Sequence, residues 1–239
     1  MKKGFLVVLL VLLAVFAFGK TYTVGTSADF PPFEYVESGE FVGFDMDLIR
    51  AIADEMGFEV KIVDMAFDSL IAALASGNLD MVIAGMTITD DREQVVDFST
   101  PYWVADQSVV VKKGSGLNIT VLFGKHNVGV QTGTTADLWV EENLVDTKII
   151  TGHFKRYETF VLAMTDLVNE NVDAIVLDSP VAEMYAKSRP VEIVGIIKTG
   201  EEYGIAVPEG NKELLNLINE GIKRLQESGE IEEIISKYF

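Results

Sequence analysis

The sequence has 239 residues, a formal net charge of −18 at pH 7, 49% hydrophobic residues and no cysteine. That length suits one large or two small domains, with enough apolar residues for a sizeable core. The acidic balance speaks against nucleic acid or an anionic membrane as partner, and the missing cysteine excludes disulfides, thiol catalysis, thiolate metal sites and a lipid-modified N-terminal cysteine.

In chain order, residues 1–19 read as a secretory signal peptide. Lys2 and Lys3 precede the unbroken apolar run Phe5 to Phe16, and Ala17-Phe18-Gly19 supplies small residues for cleavage. The run is shorter than the roughly 20 residues that span a bilayer. A soluble, extracytoplasmic mature chain with no membrane insertion is therefore expected. Tyr22 to Gly25 reads as a strand. Asp45 is placed to cap a helix through Met56, with Leu48, Ile49, Ile52 and Met56 on one face and Gly57 as its stop. Val60 to Val63 follows as a strand, then a helix capped by Asp68 that carries Leu70, Ile71 and Leu74, then the strand Met81 to Ala84. The same alternation resumes with strand Val128 to Gln131, a Gly-Thr-Thr turn and a helix holding Leu138, Trp139 and Val140. Helix Glu158 to Val168 and strands Ala174 to Leu177, Ile193 to Ile197 and Gly204 to Val207 come next. Helices Lys212 to Gln226 and Glu230 to Tyr238 end the chain, split by Ser228-Gly229. Strands alternating with amphipathic helices predict an α/β fold of two units with mainly parallel sheets. Only two histidines occur, His126 and His153, and neither sits in a carboxylate cluster. No metal and no cofactor are expected.

Four segments carry a family resemblance. Ser27-Ala28-Asp29-Phe30-Pro31-Pro32-Phe33-Glu34 with Val42-Gly43-Phe44-Asp45 resembles the opening of the polar amino-acid-binding proteins of ABC importers. Gly85-Met86-Thr87-Ile88-Thr89-Asp90-Asp91-Arg92, Gln131-Thr132-Gly133-Thr134-Thr135 and Val176-Leu177-Asp178-Ser179-Pro180 are similar to that family's further signatures. Tyr203-Gly204-Ile205-Ala206-Val207 fits its return strand. The resemblance implies a two-lobed periplasmic-binding-protein fold of type II. Lobe 1 would comprise 20–104 plus 203–239, lobe 2 would comprise 108–198, and hinge strands would cross at 105–107 and 199–202.

By the same resemblance, Arg92 clamps a ligand α-carboxylate with its planar fork, helped by the amide or hydroxyl of Thr135 at a helix start. Asp178, at the carboxyl end of a strand, pairs the α-ammonium with the carbonyl of Gly85 and the hydroxyl of Thr87. Phe30 and Phe67 wall the ligand side chain and favour a cation. Ser27, Asp29, Ala84, Met86, Gln131 and Thr132 complete the expected binding set, and none of these residues is expected to be catalytic. Ser27 stands where basic-ligand members often carry an acid. Asp29, Asp45 and Glu202 are candidates for a distal cation, and Gln131 for an amide or guanidinium. The segments look closest to arginine-binding members, with glutamine second and lysine or histidine behind. The expected partners are a free L-amino acid and the membrane subunits of an importer. Two alternatives share the fold: a dehydratase of cyclic, prephenate-like acids, which needs a general acid in the cleft, and the sensor module of a receptor or channel.

Overall fold

The computed structural model describes residues 19–239. The predicted signal peptide lies outside the described residues apart from Gly19. No helix among the described residues is long and apolar enough to cross a membrane. The chain opens with β1 (Thr21–Thr26) and an antiparallel three-stranded sheet of β2 (Asp29–Phe30), β3 (Glu34–Glu37) and β4 (Glu40–Val42). There follow α1 (Phe44–Met56), β5 (Glu59–Asp64), a tight turn Phe67–Ser69 leading into α2 (Leu70–Ala75), β6 (Met81–Val82), α3 (Asp90–Glu93) and β7 (Val96–Phe98). The next group is β8 (Trp103–Lys112), β9 (Val128–Gln131), α4 (Thr135–Val140), β10 (Phe154–Tyr157), α5 (Phe160–Val168), β11 (Ala174–Asp178) and α6 (Ser179–Ser188). Then come β12 (Val191–Tyr203), β13 (Ala206–Pro208), α7 (Lys212–Ser228) and α8 (Glu230–Tyr238).

These elements build two α/β lobes. One holds a five-stranded sheet in the order β5-β1-β6-β13-β7, the other a five-stranded sheet in the order β10-β9-β11-β8-β12. Each sheet has a parallel trio, β5-β1-β6 and β10-β9-β11, flanked by antiparallel strands. The sheets are thus mixed rather than mainly parallel. The physical reason is that β8 and β13 reach their sheets from the other lobe instead of through a crossover helix, so nothing obliges them to run parallel.

The first core packs Val24, Met81 and Ile83 under Leu48, Ile49 and Ile52 of α1. It continues into Leu214, Ile218, Ile222 and Leu225 of α7 and Ile231 of α8. The last helices of the chain therefore pack on its first. Gly221 permits that approach, since a Cβ there would lie 2.8 Å from Ile52. The second core gathers Val109, Val111, Val128, Val130, Ala174 and Val176 beneath Ala136 and Val140. Each such aliphatic side chain contributes about 2 kcal/mol by leaving water.

The lobes are joined by the long ribbon of β8 and β12, paired from Val191↔Lys112 to Tyr203↔Trp103. At its far end Ile88 N–H donates to the Glu202 carbonyl and Gly204 N–H to the Met86 carbonyl, so β12 is continuous from one lobe into the other. The predicted strand Ile193 to Ile197 is part of this 13-residue element. The polar Lys198-Thr199-Gly200 stretch does not end it. It becomes an irregularity held by Asp106, which accepts from the N–H groups of Thr199 and Gly200, both at 3.1 Å.

Two predicted caps are not caps. Gly43 precedes α1 and Asp45 lies inside the helix, fully buried. Asp68 sits within the tight turn before α2, and Ser69 holds the cap position without a side-chain bond. The α5 helix begins at Phe160, where the Thr159 hydroxyl accepts from Leu162 N–H, rather than at Glu158. Gly43 has φ of 123°, and a Cβ there would fall 2.2 Å from the Phe33 carbonyl oxygen. Gly39 also has positive φ, 87°, but faces open space. Gly43→Ala should therefore cost about 3 kcal/mol or more in urea unfolding, against about 1 kcal/mol for Gly39→Ala.

Candidate functional site

In each parallel trio the chain leaves its first strand in one direction, returns, and adds its third strand on the opposite side. The loops after the first and third strands then diverge at the carboxyl ends and open a crevice. Two such crevices face each other here. Between them lies a pocket lined by Ser27, Asp29, Phe30, Glu34, Phe67, Ala84, Gly85, Thr87, Arg92, Gln131, Thr134, Thr135 and Asp178.

Arg92 is in α3, whose cap residue Thr89 accepts from the Arg92 N–H at 3.3 Å. Its Nη1 donates to the Thr87 carbonyl at 2.7 Å and its Nη2 to the Gly133 carbonyl of the other lobe at 3.0 Å. The guanidinium carbon lies 5.4 Å from the Phe67 ring centre. Burial pulls the Arg92 pKa down to about 10, opposed by the nearby Glu201 and Asp178, so it remains charged at neutral pH.

Asp178 ends β11 and occupies the cap position of α6, but makes no capping bond. Its Oδ1 accepts from the Tyr203 hydroxyl at 2.6 Å and from Gln107 Nε2 at 3.1 Å. Burial, then the charge of Glu201, pushes its pKa up to about 7. Asp29 is held by the lobe opposite its own. Its Oδ2 accepts from Phe160 N–H at 2.6 Å and its carbonyl from the Tyr185 hydroxyl at 3.1 Å. Burial raises its pKa to about 6. Gln131 Nε2 donates to the Glu158 carbonyl at 3.0 Å and reaches Asp29 at 3.5 Å. Phe30 stacks on Phe33 and, across the cleft, on Phe160, with the latter ring centres 5.6 Å apart.

Several expected residues stand elsewhere. Met86 is buried in an apolar cluster with Leu70, Leu74 and Val96 and does not line the cavity. Thr132 turns its hydroxyl to the Tyr157 carbonyl at 3.1 Å. Asp45 accepts from Gly85 N–H and the Tyr102 hydroxyl, each at 2.8 Å, so it supports the loop after β6 instead of lining the cavity. Glu202 is exposed, because residues of an extended strand alternate sides. The Thr135 hydroxyl donates to Glu201 at 2.5 Å, which leaves only its backbone N–H to donate into the cavity.

Three residues went unread in the sequence as parts of the site. Thr134 is the cap of α4, its hydroxyl accepting from Asp137 N–H at 3.2 Å. Glu201 is buried, 9% exposed, and receives hydroxyls from both Thr87 and Thr135. Glu34 is fully buried; no N–H or hydroxyl donor reaches its carboxyl oxygens among the described residues, and its hydrogen-bond neighbour is the Asp45 carboxyl group. Burial and the neighbouring Asp45 raise its pKa well above the carboxylate range. The sequence signal for Glu34 was its place beside Phe33 in the first quoted segment, in register with Phe30 on the adjoining strand.

The family model of bacterial extracellular solute-binding proteins, family 3, matches residues 22–239. A probable histidine-binding protein of Neisseria gonorrhoeae is 38% identical over 92% of this chain and 84% of its own length. An ABC transporter arginine-binding protein of Escherichia coli is 34% identical over 97% of this chain and 98% of its own length. The solved structure of an ancestral arginine-binding protein bound to arginine superposes with a TM-score of 0.86 at 42% identity, covering 92% of this chain and 98% of that one. With facing crevices, a bridging ribbon and a family match along nearly all the described residues, the chain belongs to the bacterial extracellular solute-binding proteins of family 3 and is a binding protein, not an enzyme.

Proposed function

We propose that this protein captures a free polar L-amino acid by closing its lobes, and delivers it to an ABC importer. Arginine ranks first, glutamine second, lysine and histidine behind. The observation that carries the choice is Glu34, a fully buried carboxyl group that no N–H or hydroxyl donor reaches, lining a pocket whose lone cationic side chain among the described residues is Arg92. A guanidinium supplies both the charge and the planar donors that such a carboxylate lacks. The relatives named for arginine and histidine support the same class.

In this reading Arg92 and the Thr135 N–H hold the α-carboxylate. Asp178, the Gly85 carbonyl and the Thr87 hydroxyl hold the ammonium. Phe30 and Phe67 flank the side chain, with Ser27, Ala84, Thr134 and Asp29 closing the cavity, and Glu34 and Gln131 take the distal guanidinium. Lobe 1 comprises 20–104 and 203–239, lobe 2 comprises 108–198, and the hinge lies at 105–107 and 199–202. The chain is exported, cleaved near Gly19 and released into the periplasm as a soluble carrier, and its closed form is what the membrane subunits recognise.

Residues 20–239, unfolded and refolded to strip carried ligand, should be stabilised by about 4 kcal/mol by L-arginine at about a thousand times its Kd. Thermal unfolding against the twenty free L-amino acids checks this, and Arg92→Ala should abolish the shift. Glu34→Gln should weaken arginine about thirtyfold in calorimetry and leave glutamine within about threefold. A response to none of the twenty overturns the reading, and a response to glutamine without arginine overturns the cationic choice.

A second expectation concerns pH. In the ligand-free fold Asp178 has a pKa of about 7, against about 3.9 in an unfolded chain. Its stabilising contribution is therefore complete below pH of about 3.9 and lost as pH rises through about 7. The ligand-free melting temperature should fall over that window. Asp178→Asn should flatten the fall and stabilise the free protein at pH 8 by about 2 kcal/mol, while removing amino-acid binding. A steeper fall in the variant contradicts the assignment.

A further inference from the structure

Glu201 lies on β12 where the ribbon crosses between the lobes, paired with Ala105 on β8. Its Oε2 accepts the Thr87 hydroxyl at 2.8 Å and the Thr135 hydroxyl at 2.5 Å. Its Oε1 accepts Gln107 Nε2 at 2.9 Å. One side chain thus gathers a donor from the loop after β6 in one lobe, a donor from the start of α4 in the other, and a donor from the second crossing strand.

Thr87 moves with Glu201. Ile88 donates to the Glu202 carbonyl and Thr87 bridges to Tyr203, so the two segments form one continuous piece of sheet. Thr135 belongs to the other lobe, on the helix that follows β9. A rotation that separates the lobes therefore breaks the Thr135–Glu201 bond and keeps the Thr87–Glu201 bond. A charge-assisted bond of 2.5 Å at that point favours the closed arrangement whether or not a solute is inside.

The same bonds decide what the two threonines can offer. A hydroxyl carries one proton. Once it is given to Glu201, the oxygen presents only lone pairs to the cavity, and both threonines line that cavity. Gln107 is oriented by the same carboxylate, and its Nε2 also serves Asp178 Oδ1 at 3.1 Å. Thr87, Thr135 and Asp178 are therefore all held as acceptors on one side of the cavity.

We propose that Glu201 is the closure latch of the hinge and a positioning residue for the cavity. Its carboxylate draws one hydroxyl from each lobe together and turns both into acceptors for a ligand ammonium group. The latch stands independently of the amino-acid reading; the ammonium half rests on it.

The chain has no cysteine, so Ala72→Cys and Thr165→Cys, exposed residues one on each lobe, give a unique spin-label pair. In the ligand-free protein the inter-label distances should include a short, closed population. Glu201→Ala and Thr135→Val should each deplete it, and the double variant should lose no more than the single ones. Saturating L-arginine should restore the short distance in Glu201→Ala with an apparent affinity about tenfold weaker. The advantage of arginine over 5-guanidinopentanoate, which lacks the α-ammonium, should shrink about tenfold in the same variant. Unchanged ligand-free distances in variants that still unfold cooperatively overturn the latch. An unchanged arginine to 5-guanidinopentanoate ratio overturns the positioning role. Should the unsubstituted protein not bind arginine, the proposed ligand falls, while the ligand-free distances still decide the latch.

Discussion

Glu34, Asp45, Asp178 and Glu201 are buried around one cleft, Asp29 stands at its edge, and Arg92 is the cation that lines it. Carboxylates removed from water are costly unless they are paired, protonated or well supplied with donors. Glu201 is supplied by two threonines and a glutamine, and Asp45 by Tyr102 and the Gly85 N–H. Asp178 has two donors on one oxygen and a pKa raised to about 7, and Glu34 has none. The two carboxyl groups that the cavity presents to a solute are thus the ones burial holds toward the protonated form, and they ionise fully only when a cation is brought to them. A ligand carrying one carboxylate and two cationic groups meets both, with Arg92 taking the ligand's own anion.

The sheets make that concentration possible. Charged groups can be buried only where backbone donors and rigid side chains converge, and the carboxyl ends of two diverging parallel trios provide that convergence twice. The crossing ribbon brings the two ends face to face, so Asp29 and Arg92 on one lobe meet polar groups of the other. Asp45 shows how deep the support runs. A carboxylate inside the first turn of α1 holds the Gly85 N–H, and through it the loop that bears Thr87 and leads to Arg92.

Helix boundaries were legible where glycine marks them, as at Gly57 and Gly229, and the two-lobed α/β class followed from alternating patterns and ordered motifs. What failed was the side to which a polar residue points. Asp45 sits at a helix start as a cap does, yet the positive φ at Gly43 moves the boundary and turns the carboxylate inward. Glu201 and Glu202 are adjacent and chemically alike, and a strand sends them to opposite faces. The strand's end at Ile197 was misplaced because Asp106, distant in sequence, satisfies the two N–H groups that would otherwise break it. Glu34 lay within a quoted segment yet went unread as a site residue, because a sequence pattern shows neither its burial nor which donors reach it.

The forces that act between the lobes are of two kinds. Asp29 to Phe160 and Tyr185, Arg92 to the Gly133 carbonyl, Phe30 on Phe160 and Thr135 to Glu201 all join the lobes without any solute. Closure around an empty cavity, however, removes Asp178 and Glu34 from water, and so takes up protons or loses stability. The first set makes a closed form accessible, and the second keeps it from prevailing when the cavity is empty near neutral pH. On the proposed reading, a cationic amino acid shifts the balance because it removes the opposing contribution and need not supply every attractive contact itself. On this account selectivity resides in the carboxyl groups short of donors and reach of closure in the ties between the lobes, so substitutions in the two sets should separate which solute binds from how readily the lobes meet.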